Sequence, residues 1–206
     1  MAAKALLCVD LQYDFYEEGS LAVPGASEIN PHINDLLKRK KEYKVIVASQ
    51  DWHPSDHLSF AVNHNKEPFT PPDTDKEGLG SVLWPVHCQQ GTRGAEIHDD
   101  IDDDKFDMIL RKGQLKEVDS YSAFRDNNGR DLGLSSFLAG LNIDQIDLVG
   151  LALDVCVYYT ACDALKEGFK INLIRPASKG VNASEGDVEK ALNDMKNRGV
   201  NIKTDY

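Results

Sequence analysis

A three-layer α/β/α fold around a mainly parallel central sheet is predicted by three observations on this 206-residue chain. Short apolar runs alternate with helical periodicities from end to end, the strand-like runs are continuously apolar, and no repeat or linker divides the chain. Strands apolar on both faces need helices on both sides of the sheet. A chain this long buries roughly 70% of its unfolded surface in one core. A single domain spanning residues 1–206 is therefore expected, needing no disulfide or structural metal to fold.

Each element follows from its pattern. Residues 5–9 read as a first buried strand, and Ile29, Ile33, Leu36 and Leu37 recur at helical spacing. Residues 45–48 form a second strand and 106–110 a third, followed by a helix carrying Leu134, Phe137, Leu138 and Leu141. A fourth strand at 146–151 leads to a helix at 154–167, which Gly168 ends. A fifth strand at 169–174, a helix at 184–198 and a last strand at 200–202 complete the pattern. Between about 50 and 96 the rhythm breaks. That stretch holds both tryptophans, Trp52 and Trp84, and four of the six histidines, so a functional loop region is expected there.

Charge and cysteine usage exclude several classes. With 34 acidic against 23 basic residues the formal net charge is -11, which repels phosphate backbones and anionic lipid, so neither nucleic acid nor a membrane is expected as a partner. No apolar run approaches the ~18 residues of a spanning helix. Cys8, Cys88, Cys156 and Cys162 form no CxxC pair, which implies reduced thiols in an intracellular, cytoplasmic setting, and the C-terminus carries no organelle signal. The acidic run at 98–105 lacks the Gly and terminal Glu of a calcium loop and reads as a solvated turn. Residues 78–83, GLGSVL, follow no strand, and no GxxxxGK[ST] exists, so nucleotide phosphate binding has no support.

Ligands of open parallel sheets bind outside the carboxyl ends of the strands. Read at those ends, the chain presents Asp10, then Asp51 and His53, then Lys112, and finally Cys156 after GLALD. A lone cysteine is usually a small buried hydrophobe, which is the reading for Cys8, Cys88 and Cys162. Cys156 differs by its address. In the first turn of a helix capped by Asp154, its thiol would feel unpaired N–H groups and the positive end of the dipole, lowering its pKa and supplying oxyanion donors. Asp51, His53, His57, His64 and His87 provide the mixed nitrogen and oxygen set that a divalent transition ion takes.

In order along the chain, DLQYDF with GSLAVPGA, SQDWHPSDHLSF, LWPVHCQQGT, RKG before DSYSAF, and GLALDVCV resemble the nicotinamidases of the isochorismatase-like hydrolase superfamily. The resemblance implies a triad of Asp10, Lys112 and Cys156, with Asp10 as base and Lys112 as orienting cation. It implies an oxyanion hole from the backbone N–H groups of Ala152 and Cys156, with a cis peptide beside Ala152. Asp51, His53 and His87 match metal ligands, His57 matches a fourth ligand of some members, and Phe15 and Trp84 match pyridine-pocket walls. The implied cofactor is one divalent ion, zinc first, with iron or manganese compatible. The implied substrate is nicotinamide, with pyrazinamide as an analogue, and both a monomer and a homo-oligomer are compatible with it. Tyr13 and Val155 depart from the pattern near the pocket, and residues 63–82, His64 among them, follow no alignable pattern. Two alternatives stand beside this reading: another amidohydrolase of the superfamily, and a noncatalytic member that binds a metabolite.

Overall fold

The computed structural model describes residues 3–73 and 77–206. Its frame is one six-stranded sheet, all parallel: β1 (Ala3–Val9), β2 (Val45–Asp51), β3 (Met108–Lys112), β4 (Ile143–Gly150), β5 (Lys170–Ser178) and β6 (Asn201–Lys203), ordered β3-β2-β1-β4-β5-β6. The order reverses between β1 and β4, and the expected crevice lies outside their carboxyl ends.

Alternate strand residues feed two separate cores. Ala5, Leu7 and Val9 of β1 pack with α2 (Leu134–Gly140), α3 (Tyr158–Lys166) and α4 (Asp187–Arg198) on one face, through Leu138, Ala161 and Met195. Leu6 and Cys8 pack on the other with Ile33, Leu36 and Leu37 of α1 (Asn30–Lys38). The layers are therefore those the continuous apolar strands require.

Several boundaries differ from expectation. The third strand begins at Met108 rather than 106 and runs on to Lys112, because Lys112 pairs with Asp51 in register. In the short helix Leu134 and Leu138 are buried, while Phe137 is 36% exposed. The fourth helix starts at Asp187, not 184. Among the described residues no helix is long and apolar enough to cross a membrane, and all four cysteines are free.

Two glycines allow the crevice to close. Gly150, at φ +118°, ends β4 where a Cβ would lie 2.2 Å from the Val9 carbonyl oxygen, so the ends of β1 and β4 nearly touch. Gly113, at φ +66°, follows β3 where a Cβ would lie 2.3 Å from the His53 ring. Any side chain at these positions would push apart the strand ends or the imidazole.

Candidate active site

At the end of β1 the backbone turns out of the sheet at Asp10, whose φ is +51°. Its carboxylate accepts a hydrogen bond from Ser49 Oγ at 2.6 Å and faces Lys112 Nζ at 2.9 Å. Lys112 reaches in from the end of β3, is fully buried, and also meets Asp51 Oδ1 at 2.6 Å, the Ser120 carbonyl at 2.9 Å and Cys156 Sγ at 3.5 Å. One ammonium thus holds two carboxylates and a thiol. Oxygens of Asp10 and Asp51 and the Cys156 sulfur lie within 4.8 Å of one another.

The electrostatics divide the two acids. Burial pushes Asp51 up, but Lys112 and His53 outweigh it and hold the carboxyl below the ordinary range. Burial also raises Asp10, where Lys112 pulls down, Asp51 pushes up, and the balance stays above the ordinary carboxylate value. Burial disfavours the charged form of Lys112, yet Asp10 and Asp51 together keep it firmly protonated. A carboxylate raised beside a thiol is suited to take its proton.

Cys156 enters on a turn different from the one expected. Leu153–Val157 forms a π-helical turn, with Val157 N–H donating to the Ala152 carbonyl at 3.1 Å, before α3 begins at Tyr158. Asp154 does not cap it. Its carboxylate instead accepts from the N–H groups of Val181 and Asn182, tying the loop after β5 to the turn that carries Cys156. The lowered thiol pKa also fails to appear, because burial pushes Cys156 well above the usual range and Lys112 only partly opposes it. The resting sulfur is therefore a thiol that needs a base. The cis peptide lies where the resemblance put it, between Leu151 and Ala152. Among the described residues the Ala152 N–H has no acceptor, and Ala152 and Cys156 both line the pocket.

Beside the thiol, Asp51, His53 and His87 form a buried donor group. Asp51 Oδ2 lies 3.6 Å from His53 Nε2 and 3.9 Å from His87 Nε2. Each Nδ1 is engaged by a backbone carbonyl, Gly113 for His53 at 2.9 Å and Pro85 for His87 at 2.8 Å. An imidazole whose Nδ1–H donates outward presents Nε2 as an acceptor, the usual second layer of a metal site. Spacings near 4 Å suit donors around an ion with bonds of about 2.0–2.2 Å, so the residues fit a divalent ion. Burial and the neighbouring His53 lower His87 to about 4, which keeps it neutral and able to ligate.

His57 is placed apart from those three. It packs against His53 at 4.4 Å between ring centroids and groups with His53 and Asp119; its Nδ1 accepts from the Ser59 N–H and its Nε2 lies 3.3 Å from the Val118 carbonyl. His64 is spent on the Leu58 carbonyl at 2.7 Å. Phe15 and Trp84 do line the pocket that contains Cys156 and Asp51, together with Leu21, Tyr121, Val155 and Val181. Tyr121 was missed by the sequence reading, although it lies within the DSYSAF block; its hydroxyl accepts from Trp84 Nε1 at 3.1 Å. Gln12 was missed as well. Its side chain donates to the carbonyls of Asp51 and Ala95 and accepts from the Asp51 N–H at 2.7 Å, clamping the Asp51 backbone from both sides.

Comparison with known proteins places the fold within a family. The isochorismatase domain family matches residues 4–204. The nicotinamidase of Escherichia coli is 40% identical, the alignment covering 99% of this chain and 96% of that protein. Among solved structures, an Acinetobacter baumanii nicotinamidase/pyrazinamidase superposes with a TM-score of 0.91 at 41% identity, covering 98% of this chain and 96% of the other. A Pyrococcus horikoshii pyrazinamidase in complex with zinc gives a TM-score of 0.78 at 36% identity, covering 97% and 98%. With a family match over nearly its whole length and a sheet whose carboxyl edge gathers acid, lysine and thiol, the chain belongs to the isochorismatase domain family.

Proposed function

We propose that this protein is a nicotinamidase, hydrolysing nicotinamide to nicotinate and ammonia, with Asp10, Lys112 and Cys156 as its triad. The observation that carries the reading is the fully buried Lys112 ammonium, which meets Asp10, Asp51 and Cys156 at once. That constellation supplies a base, a cation and a nucleophile in one pocket, as covalent amide hydrolysis requires. The zinc-bound and nicotinamidase relatives support the substrate and the metal.

In this mechanism Asp10 takes the Cys156 proton as the sulfur attacks the carboxamide carbon. The N–H groups of Ala152 and Cys156 donate to the oxyanion that forms. Asp10 then gives its proton to the departing amine, ammonia leaves, and a thioester remains. Water adds to the thioester carbon with Asp10 again as base, releasing nicotinate and returning the proton to sulfur. Lys112 keeps its charge throughout, balancing Asp51 and orienting Asp10 toward the thiol. Phe15 and Trp84 confine the ring. Asp51, His53 and His87 would hold a divalent ion, zinc in this proposal, which would supply Lewis acidity beside the aromatic ring. The whole chain, residues 1–206, acts as one hydrolase domain in which about 50–96 is the metal-binding loop region.

The test is ammonia release from nicotinamide, pyrazinamide and a non-aromatic amide, comparing the wild type with Cys156→Ala. Turnover of both aromatic amides, falling by at least about three orders of magnitude in the variant, is expected. Retention of a tenth of the wild-type rate overturns the covalent mechanism, and preference for the non-aromatic amide overturns the substrate.

A further inference from the structure

Among the described residues, two buried side-chain oxygens lack a hydrogen-bond partner: Oδ2 of Asp10 and Oδ2 of Asp119. The first is met by the Lys112 ammonium at 2.9 Å. Among the described residues the second is met by no cation, and Lys112 is shared between Asp10 and Asp51. Asp119 is only 3% exposed, and its other oxygen accepts the Ser120 N–H at 2.8 Å. A buried carboxylate with one oxygen unanswered is unfavourable unless something outside the chain completes it.

Its position says what that something is. Asp119 lines the pocket with Asp51, His87 and Cys156, and one of its oxygens lies within 4.8 Å of a ring nitrogen of His53 and another of His57. Both histidines are already answered within the chain: His53 Nδ1 by Gly113, His57 by Ser59 and Val118. His53 Nε2 faces Asp51 at 3.6 Å, and the Asp119 oxygen alone in this group of three points to no partner among the described residues. Its backbone is fixed, its N–H donating to the Gly78 carbonyl and its own carbonyl accepting from Asn127, both at 2.8 Å, so it does not swing elsewhere. Yet it falls outside the group formed by Asp51, His53 and His87. Two donors on one ion with bonds of about 2.1 Å cannot sit much more than about 4.2 Å apart, so Asp119 is too far to share that ion directly. One water bridges such a gap.

We propose that Asp119 is a positioning residue for the metal, its Oδ2 accepting a hydrogen bond from a water in the coordination shell of the ion held by Asp51, His53 and His87. The inference rests on the metal site proposed above. It adds a second buried negative charge on the His53 side, so Asp119 strengthens retention of a divalent cation and orients the bound water without being a ligand.

The experiment uses the full-length protein stripped of metal, with Asp119→Asn, Asp119→Ala and, as a control, Asp51→Asn. Zinc affinity is measured by competition with a chromophoric chelator, thermal unfolding is followed with and without zinc, and the visible spectrum of the cobalt-loaded protein is recorded. Both Asp119 variants are expected to bind zinc 10–100-fold more weakly. Their metal-free forms should melt no lower than the wild type, because the unanswered carboxylate is gone, while the rise on adding zinc shrinks. The cobalt spectrum of Asp119→Asn should keep the wild-type bands. A loss of affinity under tenfold, metal-free variants that melt earlier, or cobalt bands that change coordination would each overturn the assignment. Unchanged zinc affinity in Asp51→Asn would instead remove the metal site itself, a failure distinct from that of Asp119.

Discussion

Two buried acid clusters in this protein are built to opposite specifications. On the α1 face of the sheet, Asp147 of β4 accepts from Asn172 Nδ2 at 2.6 Å, Tyr43 Oη at 3.1 Å and Lys4 Nζ at 3.2 Å, and Asn201 in turn donates to Asn172. Both Asp147 oxygens are answered, and the half-buried Lys4 is shared with Glu42 at the surface, at 3.4 Å. At the carboxyl edge, Asp10 and Asp51 share the ammonium of Lys112, a thiol leans on the same nitrogen, and one oxygen of Asp119 has no partner among the described residues. The first arrangement holds strands together. The second keeps charge poised for a proton, an ion or a substrate, and its cost is carried by the packed cores beneath it.

The largest expected effect that separates the two is metal removal. Dialysis against a strong chelator should abolish nicotinamide turnover while circular dichroism keeps its helical signal and Cys156 stays alkylatable, because the ion serves the carboxyl edge and not the cores. Full turnover in protein shown by metal analysis to be metal-free would leave the donor group without a role. His53→Ala should act like chelation and His57→Ala more mildly, since His57 groups with Asp119 rather than with Asp51 and His87.

Next comes Asp10→Asn, which keeps shape and the Ser49 contact but cannot accept a proton. A loss of about 10²–10⁴ in kcat is expected, with slower alkylation by iodoacetamide. An unchanged alkylation rate would mean that the thiol uses another base.

The thiol offers a smaller, graded test. Because burial holds Cys156 well above the ordinary thiol value, its thiolate fraction at neutral pH is low and grows as pH rises. Its alkylation in the resting protein should therefore climb roughly tenfold per pH unit beyond the point where a free thiol levels off. A plateau near neutral pH would restore the lowered pKa expected from a helix N-terminus.

The smallest effect belongs to the satisfied cluster. Asp147→Ala strands Asn172 and Tyr43 and should cost about 1–3 kcal/mol in denaturant unfolding while leaving kcat unchanged. A fall in turnover of more than a few-fold would show that the two clusters are coupled through the sheet.

Much of the reactive edge was legible in the linear chain. Asp10, Asp51 and Lys112 each close an apolar run, and a parallel sheet places all such positions on one side, so their meeting follows from strand polarity alone. Cys156 was legible from the GLALD turn after the fourth run. Gln12, Tyr121 and Asp119 were not singled out, because their roles depend on surroundings that sequence spacing does not reveal: Gln12 clamps a backbone 39 residues away, and Asp119 has one buried oxygen without a partner among the described residues.

The sequence by itself determined the class of fold, the strand ends and the chemical types available there, because hydrophobic period and strand polarity are local properties. Only the tertiary structure decided that Asp154 secures the loop after β5 instead of capping a helix, that His57 turns away from the Asp51 group, and that the thiol is raised rather than lowered. Each of these depends on how completely water is excluded and on which distant groups come within a few ångströms. Burial and long-range proximity are properties of the packed chain, and no stretch of sequence carries them alone.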